Sequence, residues 1–92
     1  MTQIKKFTNS RFDVLEYLYE HKDGNNVARV TQSEIADSID ISRPTINKFI
    51  AELKEDGFIN ETNRYLEYIL TQKAIVLVSG MKTTAKRMNS ND

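Results

Sequence analysis

Apolar residues recur at helical spacing on both sides of a break at residues 40–42. Before the break, Ile35, Ala36 and Ile39 share one face. After it, Ile46, Phe49, Ile50 and Leu53 follow the i, i+3, i+4, i+7 spacing of a buried helix face. Thr31 and Glu34 form a threonine-x-x-glutamate capping box for the first of these helices. Asp40 and Ile41 end it, and Ser42 is the expected N-cap of the second, with Pro44 tolerated in its first turn. Asp56-Gly57 is the expected stop, because glycine takes a left-handed C-cap without strain.

The flanking patterns are simpler. Phe12, Leu15, Leu18 and Tyr19 make a helical stripe, with Ser10 or a neighbour as the cap and residues 1–8 as a flexible arm. Asp23 to Asn26 is a turn by composition, and Val27 to Val30 a short β-branched strand. Phe58 to Glu61 and Tyr65 to Leu70 read as two strands joined by a turn at Thr62, Asn63 and Arg64. Thr71 caps a last helix beginning at Gln72, whose narrow seam is Ile75, Val78, Met81, Ala85 and Met88. Gly80 interrupts that seam and is a possible early end. Residues 89–92 are expected to be flexible.

Two capped helices around a tight turn, followed by a hairpin, make a helix-turn-helix with a wing. The stretch SEIADSIDISRPTINKFIAELKEDGFI resembles the core of winged helix-turn-helix transcription factors, including the multiple-antibiotic-resistance regulator (MarR) type. With RFDVLEYLYEHK and NNVARVTQ it is also similar to small winged-helix replication initiators of Gram-positive plasmids. The resemblance covers roughly residues 10–75. It implies a mainly α fold with a small β-hairpin wing (α+β), and double-stranded DNA as the partner. Many such regulators carry a glycine where this chain has Ala74, at the junction of the second wing strand and the last helix.

Composition narrows the function classes. Ninety-two residues predict a single domain, 1–92, with no room for a separate catalytic or effector domain. There is no cysteine and one histidine, His21, so neither a thiolate nor a histidine-pair metal site is expected, and no cofactor. The start of the chain is too polar for a signal peptide. The longest apolar run, Ala74 to Val78, is far short of the ~20 residues that span a bilayer, so the cytoplasm is the expected location. No cluster joins a nucleophile to a base, which argues against an enzyme; the capping role accounts for Glu34.

Charge is balanced, thirteen basic against thirteen acidic side chains, which is unusual for a DNA binder. Its distribution matters more. Residues 42–49 contain Arg43 and Lys48 and no acid, whereas Glu52, Glu55 and Asp56 gather further along. At ~100° per residue, Pro44, Lys48 and Ala51 lie opposite the apolar face, with Thr45 and Asn47 beside them. The expected DNA contacts are therefore Arg43, Pro44, Thr45, Asn47 and Lys48 to bases, and Ser42, Gln32 and Ser33 to the backbone. Arg64 is expected at the wing tip. Docking through the first two turns keeps the later acids away from phosphate.

Three functions fit these features: a sequence-specific regulator reading the major groove with helix 42–55, a plasmid replication initiator or accessory factor, and a winged-helix protein-interaction module without DNA binding. The long seam of the last helix points to a homodimer formed through it.

Overall fold

Val14, Leu15 and Leu18 form the buried spine of the first helix, and every larger element packs on it. The computed structural model describes residues 2–62 and 66–90, with side chains for residues 11–62 and 66–81. In chain order the elements are α1 (Thr2–His21), β1 (Val27–Arg29), α2 (Gln32–Ile39), α3 (Arg43–Glu55), β2 (Ile59–Glu61), β3 (Glu67–Leu70) and α4 (Gln72–Ser90). Among the described residues this gives four helices and one antiparallel sheet in the order β1-β3-β2, the expected mainly α arrangement with a small wing.

Two expectations at the chain ends are corrected. α1 begins at Thr2, so Ser10 lies inside the helix and does not cap it. No proline or glycine stands between Thr2 and Ser10 to stop a helix, and serine is only mildly unfavourable in an interior. At the other end α4 passes through Gly80, where an early end was expected. A Cβ at Gly80 would meet nothing, so packing does not demand glycine there, and one interior glycine at ~1 kcal/mol is too small a penalty to end the helix. The side chains of Ala85 and Met88, expected in the seam of this helix, lie outside the described residues.

The sheet follows from alternation. Tyr68 and Leu70 of β3 are buried, as are Ala28 of β1 and Ile59 of β2. Val27 pairs with Ile69, Arg29 with Glu67, Ile59 with Leu70 and Glu61 with Tyr68. The core gathers these with Ile35, Ala36, Ile46, Ile50, Leu53, Ala74 and Val78. Ala74 is fully buried, so its methyl group is accommodated at the strand–helix junction. Phe49, expected inside, is half-buried at the edge of this core, and Val14, absent from the expected stripe, is central. No helix of the described residues is long and apolar enough to cross a membrane.

A polar clamp fixes the base of the wing. The Asp23 carboxylate accepts from the backbone N–H groups of Asn25 (2.8 Å) and Val27 (3.1 Å), shaping the turn after α1. Arg29 reaches Asp23 at 2.8 Å and, across the β1–β3 pair, Glu67 at 3.0 Å. The Arg29 guanidinium, followed by the two backbone donors, holds the Asp23 carboxyl below its ordinary value.

Candidate nucleic-acid interface

Local rules place α2 and α3. The capping box of α2 is present in full: Glu34 N–H donates to Thr31 Oγ1 and Thr31 N–H to Glu34 Oε1, both at 2.9 Å. Asp40 closes α2 in the left-handed conformation at φ 59°, which a short polar side chain tolerates. Ile41 N–H then bonds back to Ala36 O. α3 ends in a Schellman motif. Gly57 sits at φ +83°, its N–H bonded to Lys54 O, and Phe58 N–H is bonded to Leu53 O.

The start of α3 departs from expectation. Ser42 occupies the N-cap position but its hydroxyl makes no cap bond to the backbone. It shares a 2.9 Å hydrogen bond with the Thr45 hydroxyl. An N-cap side chain looks for the second or third N–H of the helix. Here the second residue is Pro44, which has none, and the third is Thr45, whose own hydroxyl engages the serine.

Most of the expected contact residues come together on one surface. Ser42, Arg43, Pro44, Asn47 and Lys48 are exposed on the first two turns of α3, with Thr45 half-buried beside them. Gln32 and Ser33 lie alongside at the start of α2, and Gln32 Nε2 donates to Asn47 Oδ1 at 3.2 Å. Arg43, Gln32 and Ser33, with Thr31, Leu66 and Tyr68, line an open depression of about 400 Å³ between the two helix starts and the base of the wing. Arg64, with Asn63 and Tyr65 on either side of it, lies outside the described residues.

The state of the cations separates this surface from the rest. Arg11 pairs with Glu52 at 3.0 Å and approaches Asp56 at 3.8 Å. Arg29 is held in the wing clamp, and Lys54 pairs with Glu61 at 3.1 Å. Lys73 donates to Asp56 O at 2.7 Å and stands over the Phe58 ring, and Lys22 stands over Tyr19. Among the cations whose side chains are described, Arg43 and Lys48 alone have no ion-pair or ring partner. Both stand on the acid-free half of α3. The acids of its other half are partly neutralised from α1 by Arg11.

Sequence reasoning missed two residues that hold α3 in place, and a second role of Thr71. Arg11 and Lys73 reach its C-terminal end from α1 and α4. The Thr71 hydroxyl donates to the carbonyl region of Gly57 and Phe58, at 2.7 and 3.1 Å, besides accepting from Ala74 N–H as the expected cap. The contacts to Arg11 and Lys73 join residues far apart in the chain, so no local pattern announces them. His21 behaves as a helix-end residue: it is exposed, its Nδ1 lies 2.9 Å from Tyr17 O, and its ring stacks on Tyr17. No group of histidine, cysteine and acidic side chains among the described residues is arranged to hold a metal ion.

Comparison with known proteins agrees with this arrangement. MepR of Staphylococcus aureus, a transcription regulator of the multidrug efflux pump MepA, matches 98% of this chain and 67% of its own at 22% identity, with a TM-score of 0.73. The S. aureus MepR–DNA complex matches 90% of this chain and 68% of its own, again at 22% identity, with a TM-score of 0.70. ZitR of Lactococcus lactis, solved as a doubly substituted variant in apo form, matches 98% and 70% at 19% identity, with a TM-score of 0.63. At such identities the likeness is one of fold. No curated protein matches the sequence. The family model described as winged helix-turn-helix DNA-binding matches residues 8–60, more than half of the chain, and the chain belongs to that family.

Proposed function

We propose that this chain is a sequence-specific regulator of transcription, a single domain that acts in the cytoplasm. It reads the major groove of double-stranded DNA with the first two turns of α3. The observation that carries this reading is the pair of unpartnered cations, Arg43 and Lys48, on the acid-free half of α3, when the other described cations are engaged inside the fold. Arg43 and Lys48 can donate to guanine, Asn47 can bond adenine, and the Thr45 methyl group suits thymine. Ser42, Gln32 and Ser33 are placed for phosphate, and Pro44 for apolar contact. Arg64 would extend the footprint from the wing. MepR, similar in fold, is a transcription regulator and is known in complex with DNA, which supports the same role.

The regulator acts as a homodimer through α4. Val76 and Met81 of that helix are 61% and 52% exposed, the exposed large apolar side chains among the described residues. A two-fold pair presents two copies of α3 to half-sites about one helical turn, ~34–36 Å, apart, which also offsets the modest charge of each copy.

Capture of genomic and plasmid DNA fragments, followed by sequencing, tests the role. Enrichment of promoter fragments containing paired half-sites is the expected result. Enrichment confined to a replication origin would replace the regulator with an initiator. No enrichment at all would leave a protein-interaction module.

A further inference from the structure

Asn47 is exposed on the recognition face, yet its amide is not free. Gln32, the first residue of α2, donates from Nε2 to Asn47 Oδ1 at 3.2 Å. An asparagine amide carries a donor end and an acceptor end, and a half-turn of the side chain exchanges them. Unrestrained, such a residue can present either end to a base edge. Gln32 restricts that freedom, because Asn47 turned by itself would set its own NH₂ against the NH₂ of Gln32.

We propose that Gln32 is a positioning residue for base recognition, tethering the Asn47 side chain to α2 and tying the orientation of its amide to that of its own. This rests on the DNA-binding role of α3 given above. With Oδ1 held toward α2, Asn47 keeps its second oxygen lone pair and both Nδ2 hydrogens. That set still fits adenine, whose N6 donates and whose N7 accepts. Gln32 also stands beside Ser33 and Arg43 at the rim of the depression between the helix starts. A phosphate docked there would press on the same side chain that orients Asn47, so backbone docking and base reading are joined through one hydrogen bond.

The test measures binding of the full chain to its enriched duplex and to every single-base-pair variant of that duplex. It uses the parent, Gln32→Ala, Asn47→Ala, the double variant and Gln32→Glu, each checked for an unchanged melting temperature. Asn47→Ala is expected to lower discrimination at one base pair by about fivefold or more. Gln32→Ala lowers discrimination at that same pair, by a smaller factor, and the double variant is no worse than Asn47→Ala alone. Gln32→Glu offers only acceptors, so Asn47 turns its NH₂ inward and its oxygen outward. Preference for adenine over cytosine at that pair then narrows, because an outward oxygen accepts equally from the exocyclic amine of either base. Losses of discrimination that simply add in the double variant would overturn the proposal. So would a uniform loss across all duplexes in Gln32→Ala, or unchanged discrimination in Asn47→Ala. Arg43→Ala and Lys48→Ala report separately on whether α3 docks. If they weaken binding while Gln32 and Asn47 show no coupling, the positioning role alone has failed. If they too bind unchanged, the DNA reading itself has failed.

Discussion

Ile46 and Phe49 stand one turn apart on α3, and the same periodicity assigned both to the core. Ile46 is fully buried; Phe49 sits at the margin. A helical period gives the direction of a face but not its depth, which depends on the partners that arrive from elsewhere in the chain. The two sites should therefore rank against side-chain size. Ile46→Ala should destabilise by ~2–5 kcal/mol, the range for a buried isoleucine. Phe49→Ala should cost less than Ile46→Ala, although it removes more atoms. Urea denaturation of both variants checks the order. Asp23 gives a second expectation. Its carboxyl is held below its ordinary value of 3.8 by Arg29 and two backbone donors. With the folded value depressed, the clamp stabilises above the unfolded value and is lost as pH falls through the folded one. Asp23→Asn should lower the melting temperature at pH 7, and the gap to the parent should close as pH falls below about 4. A gap that persists undiminished at pH 2.5 would mean that ionisation of Asp23 is not what stabilises the turn.

At the scale of elements, the boundaries legible in the sequence were those made by neighbouring residues. Thr31 with Glu34, Asp56 with Gly57, and Thr71 with Ala74 each act across three residues or fewer, and each is present. Ser42 was legible as a position but not as a bond, because its outcome turned on the hydroxyl of Thr45 and the missing N–H of Pro44. The start of α1 and the continuation of α4 through Gly80 were not legible, since neither end carries a strong stop or start signal. The left-handed backbone of Leu66, at φ 70° where β3 begins, has no signal in a residue of that type. Gly57 makes the sharpest expectation at this scale. Nothing crowds its missing Cβ, so Gly57→Ala tests backbone conformation alone. It should destabilise by ~1–2 kcal/mol, seen as a lower urea midpoint with an unchanged slope. No loss would mean that the helix end relaxes out of the Schellman geometry without penalty.

For the whole molecule, a balanced charge argued against nucleic acid while the motif argued for it. The structure resolves the tension by location. Arg11, Lys54 and Lys73 all bind around the C-terminal end of α3, and Arg29 locks the wing base. Arg43 and Lys48 are left facing outward on the half of α3 without acids. Net charge was readable from composition; which cations are engaged was not, because it depends on contacts between distant elements. If this outward pair docks on DNA, titration of binding against salt for the parent, Arg43→Ala and Lys48→Ala reads the contact. Each variant should keep its melting temperature and bind the enriched duplex more weakly. A lost base contact should cost ~1–3 kcal/mol, and a lost phosphate contact should make the salt slope shallower by about one. Two folded variants that bind as tightly as the parent, with the same salt slope, would contradict that docking.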